Sequence, residues 1–275
     1  MTAEGPSPPR LWEEIEAYAV PPGCVTLWWL YQAGFVLKEP GGAVIAIDPY
    51  LSDAVMRSYR QARAVPAPLD PLTARLDAVL ASHSHEDHLD PDSIGPFASF
   101  EPTRFLGPPM ATDKVVACGV ARHRTVALRR GDAVAVGGFD IRAVHARHPF
   151  APEPAPDAIG YVVTAGPVSV YHAGDSEYDS ENVKDSSGVT VSLLPINGTA
   201  GNMNAHEAAL LAFLQGALLA VPMHYGLWYD SGYGVGATLD PAMFVDTYRR
   251  LVPEGRTLVL EPARAVTVDA EGVWS

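Results

Sequence analysis

The sequence predicts an α/β chain in which two β-sheets pack face to face and helices cover their outer faces. Three observations carry that expectation. Short apolar runs of strand length gather toward both ends of the chain, helix-like segments lie between them, and no linker or 20-to-50-residue repeat divides the sequence. With 275 residues, 48% of them hydrophobic, there is apolar material for a single large domain over 1–275.

The elements follow in order. After a Pro-rich start, residues 11–18 read as a short helix that Pro21, Pro22 and Gly23 end. Three β runs, 25–30, 34–38 and 43–48, are parted by Gly-bearing turns, as in a meander. The pattern then alternates: a strand at 76–81, a helix at 91–98, a strand at 104–106 and a helix at 109–117. Hairpin-like spacing returns with strands at 133–136, 139–146, 160–164 and 168–172. A strand at 189–194, a helix at 205–214, a strand at 217–221 and a helix at 241–251 lead to final strands at 257–260 and 265–268.

The formal charge of −13 offers no broad basic field for a nucleic-acid backbone or an anionic membrane. Arg122, Arg124, Arg129 and Arg130 form a local cluster that reads as a solvated surface. Cys24 and Cys118 are far apart and lack C-x-x-C spacing, which argues against a disulfide framework or zinc ribbon and fits a reducing compartment. No apolar leader is visible, and the longest apolar stretch, 209–221, is interrupted by Gln215 and Gly216. The expectation is a soluble, cytoplasmic protein with a small-molecule substrate, compatible with a homo-oligomer and with no nucleic-acid or membrane partner.

The chemistry is concentrated in SHSHEDHLD, residues 82–90, which contains H-x-H-x-D-H as His83, His85, Asp87 and His88 directly after an apolar run. Residues i and i+2 of an extended backbone face the same way, so His83 and His85 can share one metal while Asp87 and His88 turn toward another. Imidazole and carboxylate donors suit Zn, Mn or Fe over a thiolate-bound metal. Metal sites draw ligands from several segments, and three further predicted strands end in such residues: His148 after one, Asp175 following Gly174 after another, His224 after a third. Asp175 could bridge two ions through its two oxygens.

On these residues the chain resembles the metallo-β-lactamase-fold hydrolase superfamily, whose members carry five motifs on strand-end loops of a four-layer αββα sandwich. The match runs over nearly the whole sequence, with Asp48 in the first motif, HSHEDH in the second, His148 in the third, Asp175 in the fourth and His224 in the fifth. The resemblance implies that His83, His85 and His148 hold one ion and that Asp87, His88 and His224 hold the other. Asp175 would stand between them, and Asp48 would orient ligands from behind. Zn2+ or Mn2+, one or two ions per chain, is the implied cofactor. Within the superfamily, LWWLYQAGFVLKEPGG, AIDPYLSD, VYHAGDSEY, LLPINGTAGNMNAHEAA and VPMHYGLW are most similar to the L-ascorbate-6-phosphate lactonase-like branch. Tyr31 departs from that branch, which often has Gly there. Branches with Cys in the fourth motif, or with H-x-E-x-D in the second, differ from this chain at Asp175 and His85.

Other candidates have plainer readings. His145 competes with His148, but the strand-end position favours His148. His172 lies within a strand as a core histidine, and His123 among arginines on the surface. Asn204 and Glu207 look like a helix capping box, and Asp90 and Asp92 like helix-start residues. Two segments could shape a pocket: the aromatic and Gly-rich loop 225–236, a candidate lid carrying Tyr225 and Trp228, and the stretch 197–204, carrying Asn197 and Asn202. With Tyr31 these are the candidates for substrate contact.

Water bound to such ions is acidified toward neutral pH, which supplies a hydroxide nucleophile for attack on a lactone or related ester. Asp87 would orient the water and move its proton, while Asp175 balances the metal charge. The function expected is a metal-dependent hydrolase, a lactonase acting on a small polar or sugar-type lactone. A metal-dependent phosphodiesterase is the first alternative and a non-catalytic metal-binding regulatory protein the second.

Overall fold

The computed structural model describes residues 8–149 and 154–275. The Pro-rich start up to residue 7 lies outside the described residues. The first half runs through α1 (Pro8–Ala17), β1 (Val25–Trp29), β2 (Phe35–Lys38), β3 (Val44–Ile47), α2 (Ala54–Tyr59), β4 (Ala78–Leu80), α3 (Pro91–Ala98), β5 (Arg104–Gly107), α4 (Pro109–Ala117) and β6 (Thr125–Ala127). The second runs through β7 (Ala133–Val136), β8 (Phe139–His145), β9 (Ile159–Ala165), β10 (Val168–His172), α5 (Ser180–Ser186), β11 (Val191–Pro195), α6 (Ala205–Gln215), β12 (Leu219–Met223), α7 (Pro241–Leu251), β13 (Arg256–Thr257) and β14 (Ala265–Val268).

Two seven-stranded mixed sheets result, ordered β14-β1-β2-β3-β4-β5-β6 and β13-β12-β11-β10-β9-β8-β7. The opening meander is antiparallel and continues into parallel β3 to β6, while the second sheet is parallel from β13 to β10 and antiparallel from there to β7. Alternation along the first sheet assigns its two faces. Leu27, Phe35, Leu37, Ile45, Ile47 and Leu80 join the core shared with the second sheet. Trp28, Val36, Val44, Ala46, Val79 and Phe105 pack with Leu11, Trp12 and Ile15 of α1, Ile94 and Phe97 of α3 and Ala111 and Val115 of α4. Both faces are buried, so these strands read in sequence as continuous apolar runs. Lys38, itself buried, reaches under α1 and donates to the carbonyls of Ile15 and Glu16, each at 2.8 Å, which satisfies that helix's C-terminal end.

Several elements were not predicted from sequence. The six residues of α2 follow an N-cap, Asp53, whose side chain makes no capping bond, and α5 is a polar segment without apolar periodicity. β6 has only three residues. The strand expected at 217–221 instead runs through Pro222 to Met223; β13 flanks it only at Leu219 and Ala220, so Pro222 lies where that side has no partner strand, a position that tolerates proline. Of the strand expected at 257–260, only Arg256–Thr257 pairs. Cys24 and Cys118 are unpaired, and among the described residues no helix is long and apolar enough to cross a membrane.

Pairing directions decide where function sits. β1 is separated from β3 by two antiparallel pairings, as β8 is from β10, so the C-terminal ends of β1, β3 and β4 share one edge of the first sheet. Those of β8, β10, β11 and β12 likewise share one edge of the second. Hydrogen bonds latch the two edges together: Tyr161 Oη donates to Ala81 O at 2.7 Å, the Ile159 amide to Ser82 O at 2.9 Å, and the His224 amide to Gln32 O at 2.9 Å.

Candidate metal centre

The loop after β4 is held from below by two carboxylates. Asp90 accepts from Leu51 N at 2.9 Å, from the hydroxyls of Ser52 and Ser93 at 2.6 Å each and from Asp92 N at 3.1 Å, capping α3 and fixing the end of the histidine loop. Asp48, fully buried at the end of β3, accepts from Ser82 N at 2.7 Å, Ser82 Oγ at 2.6 Å and His88 Nδ1 at 2.8 Å.

That carboxylate sets two tautomers. The Ser82 proton is committed to Asp48, so the contact of 3.0 Å between Ser82 Oγ and His83 Nδ1 requires the ring N–H to donate. His83 and His88 therefore both present an unprotonated Nε2 inward when neutral. His83 Nε2 lies 2.9 Å from His85 Nδ1, which lies 3.2 Å from His148 Nε2. Tetrahedral bonds of about 2.1 Å separate neighbouring nitrogens by about 3.4 Å, so this spacing suits three ligands of one ion. Asp87, His88 and His224 form a second group of donors, all within 4.8 Å of one another, as are those of the first.

Asp175 lies between the groups. Its Oδ1 is 2.9 Å from His224 Nε2 and 3.2 Å from His88 Nε2, and its Oδ2 is 3.9 Å from His148 Nε2. The buried His88 Nε2 and Asp175 Oδ1 face each other without making a hydrogen bond. Burial holds His83 and His148 below the usual imidazole range, so both are neutral and ready to ligate. Burial alone would also lower His88, but Asp175, Asp87 and Asp48 outweigh it and hold its pKa well above normal. Burial would likewise raise Asp175, yet His224 and His88 draw it well below the carboxylate range. This nitrogen-and-oxygen set, five imidazoles and two carboxylates with orphaned inward atoms, fits divalent transition ions.

His148 stands in the first group, whereas His145 Nε2 faces Asp179 Oδ2 at 3.4 Å and its amide bonds Asp185. His148→Ala is therefore expected to lose metal affinity and His145→Ala to keep it, measured by titration of each apo-variant with Zn2+; the reverse pattern would exchange their roles. His172 is a core residue: Nε2–H donates to Ala33 O at 2.7 Å and Nδ1 accepts from Gly174 N at 3.1 Å. It thereby ties the loop bearing Asp175 to the β1–β2 turn. Gly174 has φ +60°, and a Cβ there would lie 2.6 Å from Ser82 Cβ and 2.8 Å from Ser82 Oγ. Gly174→Ala is expected to cost roughly 2 kcal/mol or more of stability and to weaken metal binding by pushing Ser82 off Asp48. Unchanged denaturation and Zn2+ titration curves would contradict this.

A cavity of about 430 Å³ opens above the two groups, with His85, Asp87, His148, Asp175 and His224 in its lining. Asn197 and Trp228 line it as expected from sequence, but Tyr31, Asn202 and Tyr225 are not among its lining residues. His224 faces the site, so its neighbour Tyr225 turns away into the core, 5.0 Å ring to ring from Trp29. Tyr31 packs against the same Trp29 at 5.5 Å while the next residue, Gln32, faces the cavity. Asn202 is buried beneath the 197–204 turn. Of the candidate lid, Trp228, Gly232, Tyr233, Gly234 and Val235 line the cavity. Sequence reasoning missed Gln32, Val55, Tyr59 and Gln61, which also line it, and placed Thr199 only through the 197–204 stretch. Tyr31, Gln32, Asp48, Ala200 and His224 all have positive φ, so backbone strain gathers around this cavity. At Tyr31 the φ of +70° accounts for the glycine that the lactonase-like pattern prefers there.

Comparison with known proteins follows the same lines. The family described as the β-lactamase superfamily domain matches residues 44–225. A probable L-ascorbate-6-phosphate lactonase, UlaG, of Escherichia coli O127:H6 is 27% identical over 260 residues, covering 78% of this chain and 73% of the relative. A metallo hydrolase of the hyperthermophilic archaeon Ignicoccus hospitalis superposes with a TM-score of 0.68 at 23% identity, over 90% of this chain and 99% of that one. An isothiocyanate hydrolase from Delia radicum gut bacteria gives a TM-score of 0.68 at 17% identity, over 89% and 99%.

Proposed function

The chain belongs to the β-lactamase superfamily, and from that premise we propose that it is a metal-dependent hydrolase that opens a small, uncharged lactone or cleaves a related carboxylic ester. The observation that carries this reading is the pair of ligand groups about Asp175 on the floor of the cavity. His83, His85 and His148 would hold one Zn2+ or Mn2+ ion and Asp87, His88 and His224 a second, with Asp175 between and Asp48 orienting His88. Such ions supply Lewis acidity and acidify the water they bind.

The chain's own groups do the rest. Asp87 is the more open of the two carboxylates, 21% exposed against 6% for Asp175, so it is the group able to take a proton from water and pass it to the leaving oxygen. Asp175 offsets positive charge at the centre. The lining combines apolar Val55, Tyr59, Trp228 and Val235 with polar Gln32, Gln61, Asn197 and Thr199.

Charge narrows the substrate. Among the described residues, the lining includes no Lys or Arg. Three of the four arginines of the cluster are engaged elsewhere: Arg122 pairs with Asp113, Arg124 donates to the carbonyls of Ala98, Phe100 and Thr103, and Arg130 pairs with Glu181 and Asp185. A phosphate on the far side of a substrate would find no cation in this wall. The E. coli relative is named for a phosphorylated lactone; this chain is proposed to prefer an unphosphorylated one. The test loads the protein with Zn2+ or Mn2+ and compares a sugar lactone, its phosphorylated form, a phosphodiester and a β-lactam at matched concentration. The unphosphorylated lactone is expected to lead. A phosphodiester cleaved with kcat/KM at least about tenfold above every lactone, some 1.4 kcal/mol in transition-state preference, would replace this reading with a phosphodiesterase.

A further inference from the structure

Gln32 is buried, 1% exposed, in the turn between β1 and β2, yet its side chain lines the cavity. The hydrogen bonds around it determine which way its carboxamide points. Tyr233 Oη accepts from the amides of Leu227 at 3.1 Å and Trp228 at 3.4 Å. Its own proton is thus free for one acceptor, and it donates to Gln32 Oε1 at 2.8 Å. A flipped amide would set its NH2 group against an oxygen whose lone pairs are already taken, so Nε2 must face the other way. On that side its neighbour is His224 Nε2 at 3.5 Å, too far for a firm bond. With His224 Nε2 committed as a ligand, that contact offers the amide no acceptor.

The backbone supports the same placement. Gln32 has φ +51°, a conformation costly for a residue with a Cβ, and its carbonyl accepts from His224 N and Trp29 Nε1, both at 2.9 Å. A strained, buried turn thus carries a fixed N–H donor to the wall of a cavity whose lining, among the described residues, includes no Lys or Arg. We propose that Gln32 is a substrate-binding, specificity-determining residue whose Nε2 donates a hydrogen bond to a carbonyl or ring oxygen of the uncharged substrate. Tyr233 is its positioning residue. The assignment of that oxygen to a lactone or ester rests on the function proposed above.

The test compares wild type with Gln32→Met, which keeps the length and loses the donor, and Tyr233→Phe, which keeps the amide but frees it to turn. All three are loaded with Zn2+ and checked for metal content. Binding of δ-valerolactam, a slowly reacting carbonyl analogue, is titrated calorimetrically, and KM and kcat are measured on δ-valerolactone. Gln32→Met is expected to retain metal and to bind the lactam about tenfold more weakly, with a matching rise in KM and a smaller change in kcat. Tyr233→Phe is expected to show the same split at about threefold, and if Gln32→Met does not fold, this variant decides alone. Lactam affinity within twofold of wild type, no lactam binding to wild type, or loss of metal in Gln32→Met would each overturn the proposal, the last by making Gln32 a support for His224. If wild type cleaves bis(p-nitrophenyl) phosphate and no lactone, the lactonase reading fails; the KM comparison then moves to that substrate and still reports on Gln32.

Discussion

Replacing His83, His85 and His224 together with alanine is expected to leave the purified protein without bound transition metal and without hydrolytic turnover. The triple change leaves His148 alone in the first ligand group and Asp87 with His88 in the second. Even with Asp175 counted, the first remnant has two ligands and the second keeps one imidazole beside two carboxylates, short of the imidazole-rich set that holds a catalytic zinc ion. Stability gives an independent readout. An ion that binds only the folded chain stabilises it by RT ln(1 + [L]/Kd), about 2.7 kcal/mol at a hundredfold excess over Kd, so added Zn2+ should raise the wild-type Tm and leave that of the variant unmoved. Elemental analysis per chain and paired melting curves measure both effects. Full metal content in the triple variant would remove these residues from the centre.

The part of this centre that could be read from sequence is the part encoded locally. His83, His85, Asp87 and His88 fall within six residues, and Asp175 and His224 each follow a strand closely. The reading favoured His148 over His145 by taking the strand to run through residue 146; β8 stops at His145, and the chain travels three residues further before His148 stands beside His83 and His85. The cavity wall was harder to read because it is made by pairs distant in sequence. Gln32 and Tyr233 are 201 positions apart, and nothing near either signals the hydrogen bond between them. At the β1–β2 turn the reading missed by one position, choosing Tyr31 where Gln32 lines the cavity. Adjacent side chains turn to different sides, so only the three-dimensional register distinguishes the residue facing the cavity from the one packed on Trp29. Composition favoured the aromatic residue, whereas the cavity takes the amide. The short helix α2, which brings Val55 and Tyr59 to the wall, was missed for a related reason, because six residues without a capping side chain carry almost no periodic signal.

Asp87→Asn is expected to lower kcat by about 10² to 10⁴ at full metal loading while changing KM much less. The substitution is nearly isosteric and leaves Trp228, Val55 and the amides of Gln32 and Asn197 in the cavity lining unchanged. What it removes is the negative charge and the basic oxygen. Asp87 Oδ2 lies 3.6 Å from His88 Nε2 and 3.8 Å from His224 Nε2, close to both ring nitrogens of its group without being buried by either. Asp175 cannot take over its part: both its oxygens are turned toward imidazoles, and its side chain is nearly inaccessible. A carboxamide at position 87 is also a weaker ligand, so the second group should bind its ion less tightly, and the comparison has to be made at metal concentrations where elemental analysis shows equal occupancy. Under that condition a fall in kcat reports the proton and not the ion. Wild-type kcat at matched occupancy would take proton transfer away from Asp87 and leave it as a ligand alone.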